Sequence, residues 1–554
     1  MIRNQNYSRL RQILSILILG ALCSCSTPST VEDLHFSIAH ENGVLANEGF
    51  KRCLQFTHAW LEYTDSASGL IPENLYNGID TWNAHNSAAD NYPFMVLTSY
   101  LLDKQLYNTT MHQILVSETA LTSRIRSLPD AYSFSKEDFV RENIDTARII
   151  FGTSEYIKDG IIPLTEYLGE SPWSKRMVKM VDDLQGIVTV ARNMKGDSYW
   201  NTVEDEISGE LLQTLSRLFW MTGEEKYLKW AIEIGDHYLL EKDLTQAERL
   251  RLRDHGCEII AGISELYFAV HYKYPEKAAT YRPAIYRVMD RILEIGRNGD
   301  GMFYNEVNML TGEVLDSSIV DNWGYIYNAY YTVYLLDNRK EYREAVIKPL
   351  KSVNEGYRNF NWERGSADGF ADAIESGINL YNRERIPELK EWINSEIQVM
   401  WSLQDSSYQE RALRWMDSGI IEGWHGDGNF ARTTLMYCLW KTEDLTIEPW
   451  REDVVFGATL ENGILYISLE AEADWEGTLQ FGAERHQTIL KLPLDYPRIN
   501  QFPEWYTINE EQGFVIEDSD GEEKIVVGRE LCEGLPVKLK KGKPCMFKLG
   551  KYNL

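Results

Sequence analysis

Two kinds of apolar pattern alternate along most of this chain. In one, hydrophobic positions recur at the helical period: over Tyr227 to Leu240, Leu228, Ala231, Ile232, Gly235, Tyr238 and Leu239 share a face, and Ile386 to Leu403 repeats the pattern. In the other, the run is apolar or small nearly all round, as in Ile259 to Val270, Tyr325 to Leu336 and Phe370 to Tyr381, with a further case around Ile149 to Ile157. A helix that is apolar on every side belongs inside a larger helical body. The two kinds alternate every fifty to sixty-five residues or so, an imperfect repeat of helical hairpins. Polar turns near Asp90, Glu206, Asp254, Asp321, Asp368 and Asp427 mark the beat.

The repeat fits an open solenoid or a closed α/α toroid. Long glycine- and aromatic-rich connections on one side only favour the toroid, which has a single mouth to line. Residues 42–445 are therefore expected to form a mainly α domain, an (α/α)6–7 toroid of helical hairpins. After Pro449 the pattern changes. Gly463 to Glu470, Gly477 to Phe481, Thr488 to Leu492, Gly513 to Ile516 and Lys524 to Val527 are short, roughly alternating runs between turn residues. They predict a C-terminal antiparallel β-sandwich domain over 446–554, read as a packing or oligomerisation module that makes a homo-oligomer possible.

Composition narrows the class. The chain has 554 residues, 56 Lys plus Arg against 84 Asp plus Glu, and a formal charge of −28. That field is wrong for wrapping nucleic acid or for a basic membrane-surface module. Arg3, Arg9 and Arg11 precede a short apolar stretch, Ile13 to Leu22, and Leu22-Cys23-Ser24-Cys25 resembles a bacterial lipobox. The expectation is a signal peptide over 1–24, lipidation at Cys25, a tether over 25–41 and an envelope location on the periplasmic face or the cell surface. The lipid anchor would then be the sole membrane contact. Cys53, Cys257, Cys438, Cys532 and Cys545 remain, with Cys532 and Cys545 a candidate bridge and Cys438 a core hydrophobe.

The chemistry gathers at the helix starts. Glu73 to Pro93 is rich in Asn, Trp, Tyr and His, suited to sugar rings and hydroxyls, although Asp90 could simply cap a helix. In Arg253-Asp254-His255-Gly256-Cys257-Glu258 the two acids, four apart, share a helix face. Such a pair suits glycoside hydrolysis, and a helix cap is the rival reading. Asp321 with Trp323 and Tyr325, and Asp368 with Asp372 and Glu375, pose the same choice. Glu422, His425, Asp427 and Arg432 form the densest set, in which Arg432 is either a bidentate clamp for a carboxylate or a structural partner of an Asp. No nucleophile elbow, P-loop, dinucleotide fingerprint or zinc spacing occurs, and Cys257 lacks the partners of a thiolate glycosidase.

The lipobox, the turns RDHGCE, VDNWGY and EGWHGDGNFAR, and the closing β-region resemble glycan-degrading α/α-toroid enzymes of Bacteroidetes-type polysaccharide utilisation systems, most of all glycoside hydrolase family 154, the β-glucuronidase type. The resemblance implies exo-cleavage of a terminal uronic acid by paired carboxylates, with no cofactor or metal. On the residue reasoning above, the carboxylates are sought among Asp254, Asp321, Glu422 and Asp427. Arg253, His255, His425 and Arg432 would hold the uronate, and Trp82, His85, Asp90, Tyr92 and Trp323 would frame the sugar. A polysaccharide lyase and a non-catalytic glycan-binding lipoprotein are the alternatives.

Overall fold

The computed structural model describes residues 30–195, 204–404, 419–421, 428–519 and 521–552, and for residues 191–195, 254 and 255 the backbone. Residues 1–29, which hold the lipobox, lie outside this range.

Helices alternate between two concentric rings, as the two apolar patterns require. The outer helices are α1 (Val31–Leu61), α3 (His112–Thr122), α5 (Pro172–Lys195), α7 (Glu225–Asp236), α9 (Pro275–Ile295), α11 (Lys340–Gly356) and α13 (Pro387–Ser402). The inner helices are α2 (Tyr92–Leu102), α4 (Thr146–Glu155), α6 (Asp205–Thr222), α8 (Glu258–Lys273), α10 (Trp323–Asp337), α12 (Ala367–Arg383) and α14 (Gly428–Lys441). Each inner helix packs on the next, and α14 packs back on α2, so the ring closes with seven hairpins among the described residues. The inner helices are buried almost all round, as their sequences demand.

Two inner helices carry π-helical turns: Ala84–Asn91 leads into α2, and Tyr156–Ile161 continues α4 into the helix Ile162–Leu168. Pro93 and Pro163 follow these turns, and a residue with no N–H interrupts the regular helical ladder there. The widened turns pack on each other at Gly160, where a Cβ would stand 2.7 Å from Pro93 Cγ. They place His85, Asp90, Lys158 and Asp159 toward the ring axis.

Helix α1 starts at Val31, well before the tether was expected to end, because Thr30 and Asp33 form a reciprocal capping box. One side of α1 packs on α14 and α2 and another on the C-terminal sheet. There Asn42 donates to the Ala458 carbonyl at 2.9 Å.

The C-terminal region holds two antiparallel sheets. Named in chain order, the strands of these two sheets are β1 (Thr446–Glu448), β2 (Val454–Glu461), β3 (Ile464–Ala471), β4 (Trp475–Gln480), β5 (Gly513–Asp518), β6 (Glu523–Val527), β7 (Leu535–Leu539) and β8 (Cys545–Tyr552). One sheet has the order β2-β3-β8-β5-β6 and the other β7-β4-β1. Cys532 and Cys545 are both free thiols, so the candidate bridge is not formed. Cys438 is buried, as expected.

The expected strand over Thr488 to Leu492 is not there. Its apolar residues Leu490 and Leu492 pack instead with Tyr496 on Phe268 of α8. They begin an irregular stretch that enters the ring from the end opposite the helix starts. Arg217 of α6 bonds Glu265 at 2.7 Å and Glu166 at 3.2 Å. Arg498 reaches Glu166 at 3.3 Å and Asp495 at 3.0 Å, and Arg383 reaches Asp495 at 2.7 Å. This chain of buried ion pairs anchors the stretch, because each buried charge needs a partner. The C-terminal region is therefore more than a packing module: it plugs the bore of the ring.

Candidate functional site

A cavity of about 460 Å³ opens at the N-terminal ends of the inner helices, a size usual for small-molecule sites. Its walls come from the loop holding Glu73, Asn74 and Asn77, from the first π-turn, from Phe151, Glu155, Lys158 and Asp159, and from the starts of α8, α10, α12 and α14. Asn500, at the tip of the C-terminal plug, completes it. Helices parallel around a ring present their starts together, which explains why residues hundreds of positions apart converge.

Among the described residues the lining is strongly acidic, and its cations Lys158 and Arg432 are both committed. Lys158 Nζ lies 2.6 Å from Asp159 Oδ1 and 2.6 Å from Glu258 Oε1. Burial disfavours the ammonium, but those two carboxylates outweigh it and hold the Lys158 pKa well above the ordinary value. Burial pushes Asp159 up to about 6 despite Lys158, and raises Glu258 as well. Arg432 is buried, 2.7 Å from Asp372 Oδ1 and 2.8 Å from Glu375 Oε2. It also donates to Asn429 at 2.9 Å and to Asn500 at 3.1 Å. Burial lifts Glu375 to about 7, with Arg432 opposing and Asp372 adding.

Asp368 and Asp372 stand one turn apart on α12, and both line the cavity. Their surroundings differ. Burial, with Asp372 and Glu363 adding repulsion, raises Asp368 well above the ordinary carboxylate value, and a 2.5 Å hydrogen bond from Asn429 only partly offsets this. Asp372 Oδ1 meets the Arg432 guanidinium, and the Tyr325 hydroxyl lies 2.9 Å away. One carboxyl is thus held as an acid beside another held by a cation.

Of the residues given catalytic or sugar-binding roles from the sequence, His85, Asp90 and Arg432 line the cavity. Glu258, Tyr325, Asp368 and Asp372, which the sequence marked only as acids or aromatics at helix starts, line it too. Arg432 is a structural ion-pair partner there, with its guanidinium turned to two carboxylates. Asp321 is buried behind the wall, 3.1 Å from Arg253, which in turn lies 2.7 Å from Glu363. Burial raises Asp321 to about 7, with Arg253 opposing.

Trp82, Tyr92 and Trp323 are core residues. The Tyr92 hydroxyl donates to the Met111 carbonyl and accepts from Trp173 at 2.9 Å, and Trp323 packs edge-on against Trp392. A toroid needs large apolar groups between its rings, and these aromatics fill that layer. Asp254 and His255 sit in a short 3₁₀ turn, Asp254–Cys257, their side chains outside the described residues. Glu422, His425, Asp427 and Cys25 lie outside them entirely.

Asp368 and Asp372 were visible in the sequence as acids at helix spacing. Lys158 and Asp159 carried a signal too, as adjacent charges inside an otherwise apolar helix. Asn500 carried none, since it falls in a region that reads as a separate β domain.

No family model matches the sequence, and no curated protein sequence matches it. Among solved structures, an inactive variant of an α-1,6-mannanase of Salegentibacter in complex with α-1,6-mannotetrose is similar over 71% of this chain and 98% of its own, at 10% identity and a TM-score of 0.40. A glycoside hydrolase family 76 mannosidase from Bacteroides thetaiotaomicron is similar over 71% of this chain and 98% of its own, at 12% identity and a TM-score of 0.38. A cellobiose 2-epimerase from Bacillus thermoamylovorans covers 71% and 99% at 10% identity and a TM-score of 0.38. Likenesses of that degree assign neither a family nor an activity to this chain.

Proposed function

We propose that this protein is a glycoside hydrolase acting on a neutral glycan bound in the cavity, with Asp368 and Asp372 as its two working carboxylates. The observation that carries the reading is their opposed environments one turn apart on α12. A carboxyl whose pKa burial raises, one turn from a second carboxyl that faces a guanidinium, is the kind of asymmetry that glycosidic cleavage uses. Asp368 gives its proton to the glycosidic oxygen as the bond to the anomeric carbon breaks. Asp372 either takes a proton from the attacking water or attacks the anomeric carbon itself.

The narrower expectation, release of a terminal uronic acid, finds no support among the described residues of the lining. An anionic sugar needs an uncommitted cation, and both Lys158 and Arg432 already face two carboxylates each. The remaining acids around the wall would repel a uronate, so a neutral sugar is the better fit. The lyase alternative needs a phenol or imidazole poised as base, and among the described lining residues these are Tyr325 and His85. Tyr325 is buried with its hydroxyl against two carboxylates, and its pKa stands well above the ordinary phenol value, so His85 is the group left to that reading.

The test is turnover of a panel of 4-nitrophenyl glycosides and reduced neutral oligosaccharides, with the glucuronide alongside. Asp368→Asn and Asp372→Asn should each lower kcat by about 10²–10⁴-fold while the circular dichroism spectrum is unchanged. Turnover of the glucuronide alone would sink the neutral-glycan reading. Undiminished rates in both variants would sink the assignment of the pair, and rising ultraviolet absorbance on a uronate polymer would point to a lyase. Lipidation at Cys25 is proposed alongside, as the tether to the envelope; incorporation of labelled palmitate should vanish in Cys25→Ser.

A further inference from the structure

Where α4 meets α6, Glu155, Glu206 and Glu210 each bring a carboxylate oxygen within 4.8 Å of the other two. An acidic cluster by itself says little. The second observation is Glu210: it is 0% exposed, and among the described residues no donor group reaches either of its carboxylate oxygens, the group it meets being the carboxyl of Glu155. Buried carboxylates elsewhere in this protein meet donors, as Glu265 meets Arg217 and Glu375 meets Arg432. The nearby ammonium of Lys158 is already engaged by Asp159 and Glu258. A carboxylate stripped of water and met by no donor is costly unless something positive sits against it.

We infer that these three glutamates form a binding site for a divalent cation, and that its chemistry is that of Ca²⁺. The ligand atoms are all carboxylate oxygens, which suit a hard cation. Ca²⁺ takes oxygens at about 2.3–2.6 Å in flexible geometry, and three oxygens that all lie within 4.8 Å of one another are close enough to share one such ion. Mg²⁺ demands near-octahedral ligands at about 2.0–2.1 Å and gives up its waters reluctantly, which suits a site with two buried carboxylates less well. Glu206 keeps partial exposure, which leaves an approach for the ion. Glu155 also lines the cavity, so a bound ion would stiffen that wall. The site is independent of the Asp368–Asp372 pair and stands or falls without it.

The experiment uses the full chain after treatment with chelator and dialysis. Titration with CaCl₂ in a calorimeter, and the thermal midpoint at about 1 mM Ca²⁺ and at about 1 mM Mg²⁺, are measured on the parent and on Glu210→Gln and Glu206→Gln. We expect Ca²⁺ to raise the parent's midpoint more than Mg²⁺ does. Both variants should lose at least about tenfold in Ca²⁺ affinity. If Glu210→Gln does not fold, Glu206→Gln carries the comparison. No Ca²⁺-dependent heat or midpoint shift in the parent would overturn the inference and leave the glutamates sharing protons. An equal shift in parent and variants would overturn it too, by locating the ion elsewhere.

Discussion

Replacing Arg432 with Met separates a structural guanidinium from a substrate clamp. The side chain is 3% exposed and lies 2.7 Å from Asp372 and 2.8 Å from Glu375. With Glu375 at about 7, roughly half of its molecules are ionised at neutral pH, so about one and a half charge pairs are lost. At an effective dielectric of about 20, each pair is worth about 4 kcal/mol gross, or about 6 kcal/mol in all. Removing the guanidinium also removes its own desolvation cost, which brings the net loss to about 3–5 kcal/mol. The loss should be smaller at pH 5, where Glu375 takes up a proton and no longer needs its partner. The assay is denaturant unfolding at both pH values, with Glu375→Gln and the double variant completing a cycle. In the Glu375→Gln background, Arg432→Met should cost less by about 2 kcal/mol. A clamp makes the opposite prediction: ligand binding lost and stability intact. A net cost below about 1 kcal/mol at pH 7 would refute the ion-pair account.

Other consequences follow from the same geometry. Burial raises Asp321, Glu375 and Glu443 to about 7 and Asp159 to about 6. The native state therefore holds protons that the unfolded chain has released above about pH 4–4.5, and stability falls as pH rises from there to 7. The thermal midpoint should be lower at pH 7 than at pH 5 by about 5 °C or more, and a flat profile would contradict the raised carboxyls. Asn500 hydrogen-bonds Asp159 at 3.0 Å and Arg432 at 3.1 Å and offers its backbone N–H to Glu375 at 2.7 Å. As a positioning residue, Asn500→Ala should lower kcat about tenfold, or about 1.4 kcal/mol, and displace the pH–rate profile. An unmoved profile would make it merely structural. At Gly209, a Cβ would stand 2.3 Å from the Glu258 carbonyl carbon. Gly209→Ala must part α6 from α8 and should cost about 1–3 kcal/mol in denaturant unfolding, despite alanine's better helix propensity.

The two kinds of helix, their alternation, the polar helix starts and four of the eight named C-terminal strands were legible in the sequence, because each depends on periodicity within about twenty residues. Asp368 and Asp372 were legible as acids at helix spacing, and Cys438 as a core thiol. The sequence could not choose between six and seven hairpins, since closure depends on the meeting of α14 with α2. Nor could it tell a sugar platform from a core aromatic: Trp82, Tyr92 and Trp323 sit in polar, loop-like stretches yet fill the space between the rings. Charge partnership lay further out of reach. Arg432 meets Asp372 across 60 positions, and Asn500 meets Asp159 across 341. Burial and pairing decide which carboxyl keeps its proton, and both are set by neighbours that only the closed ring and its plug bring together.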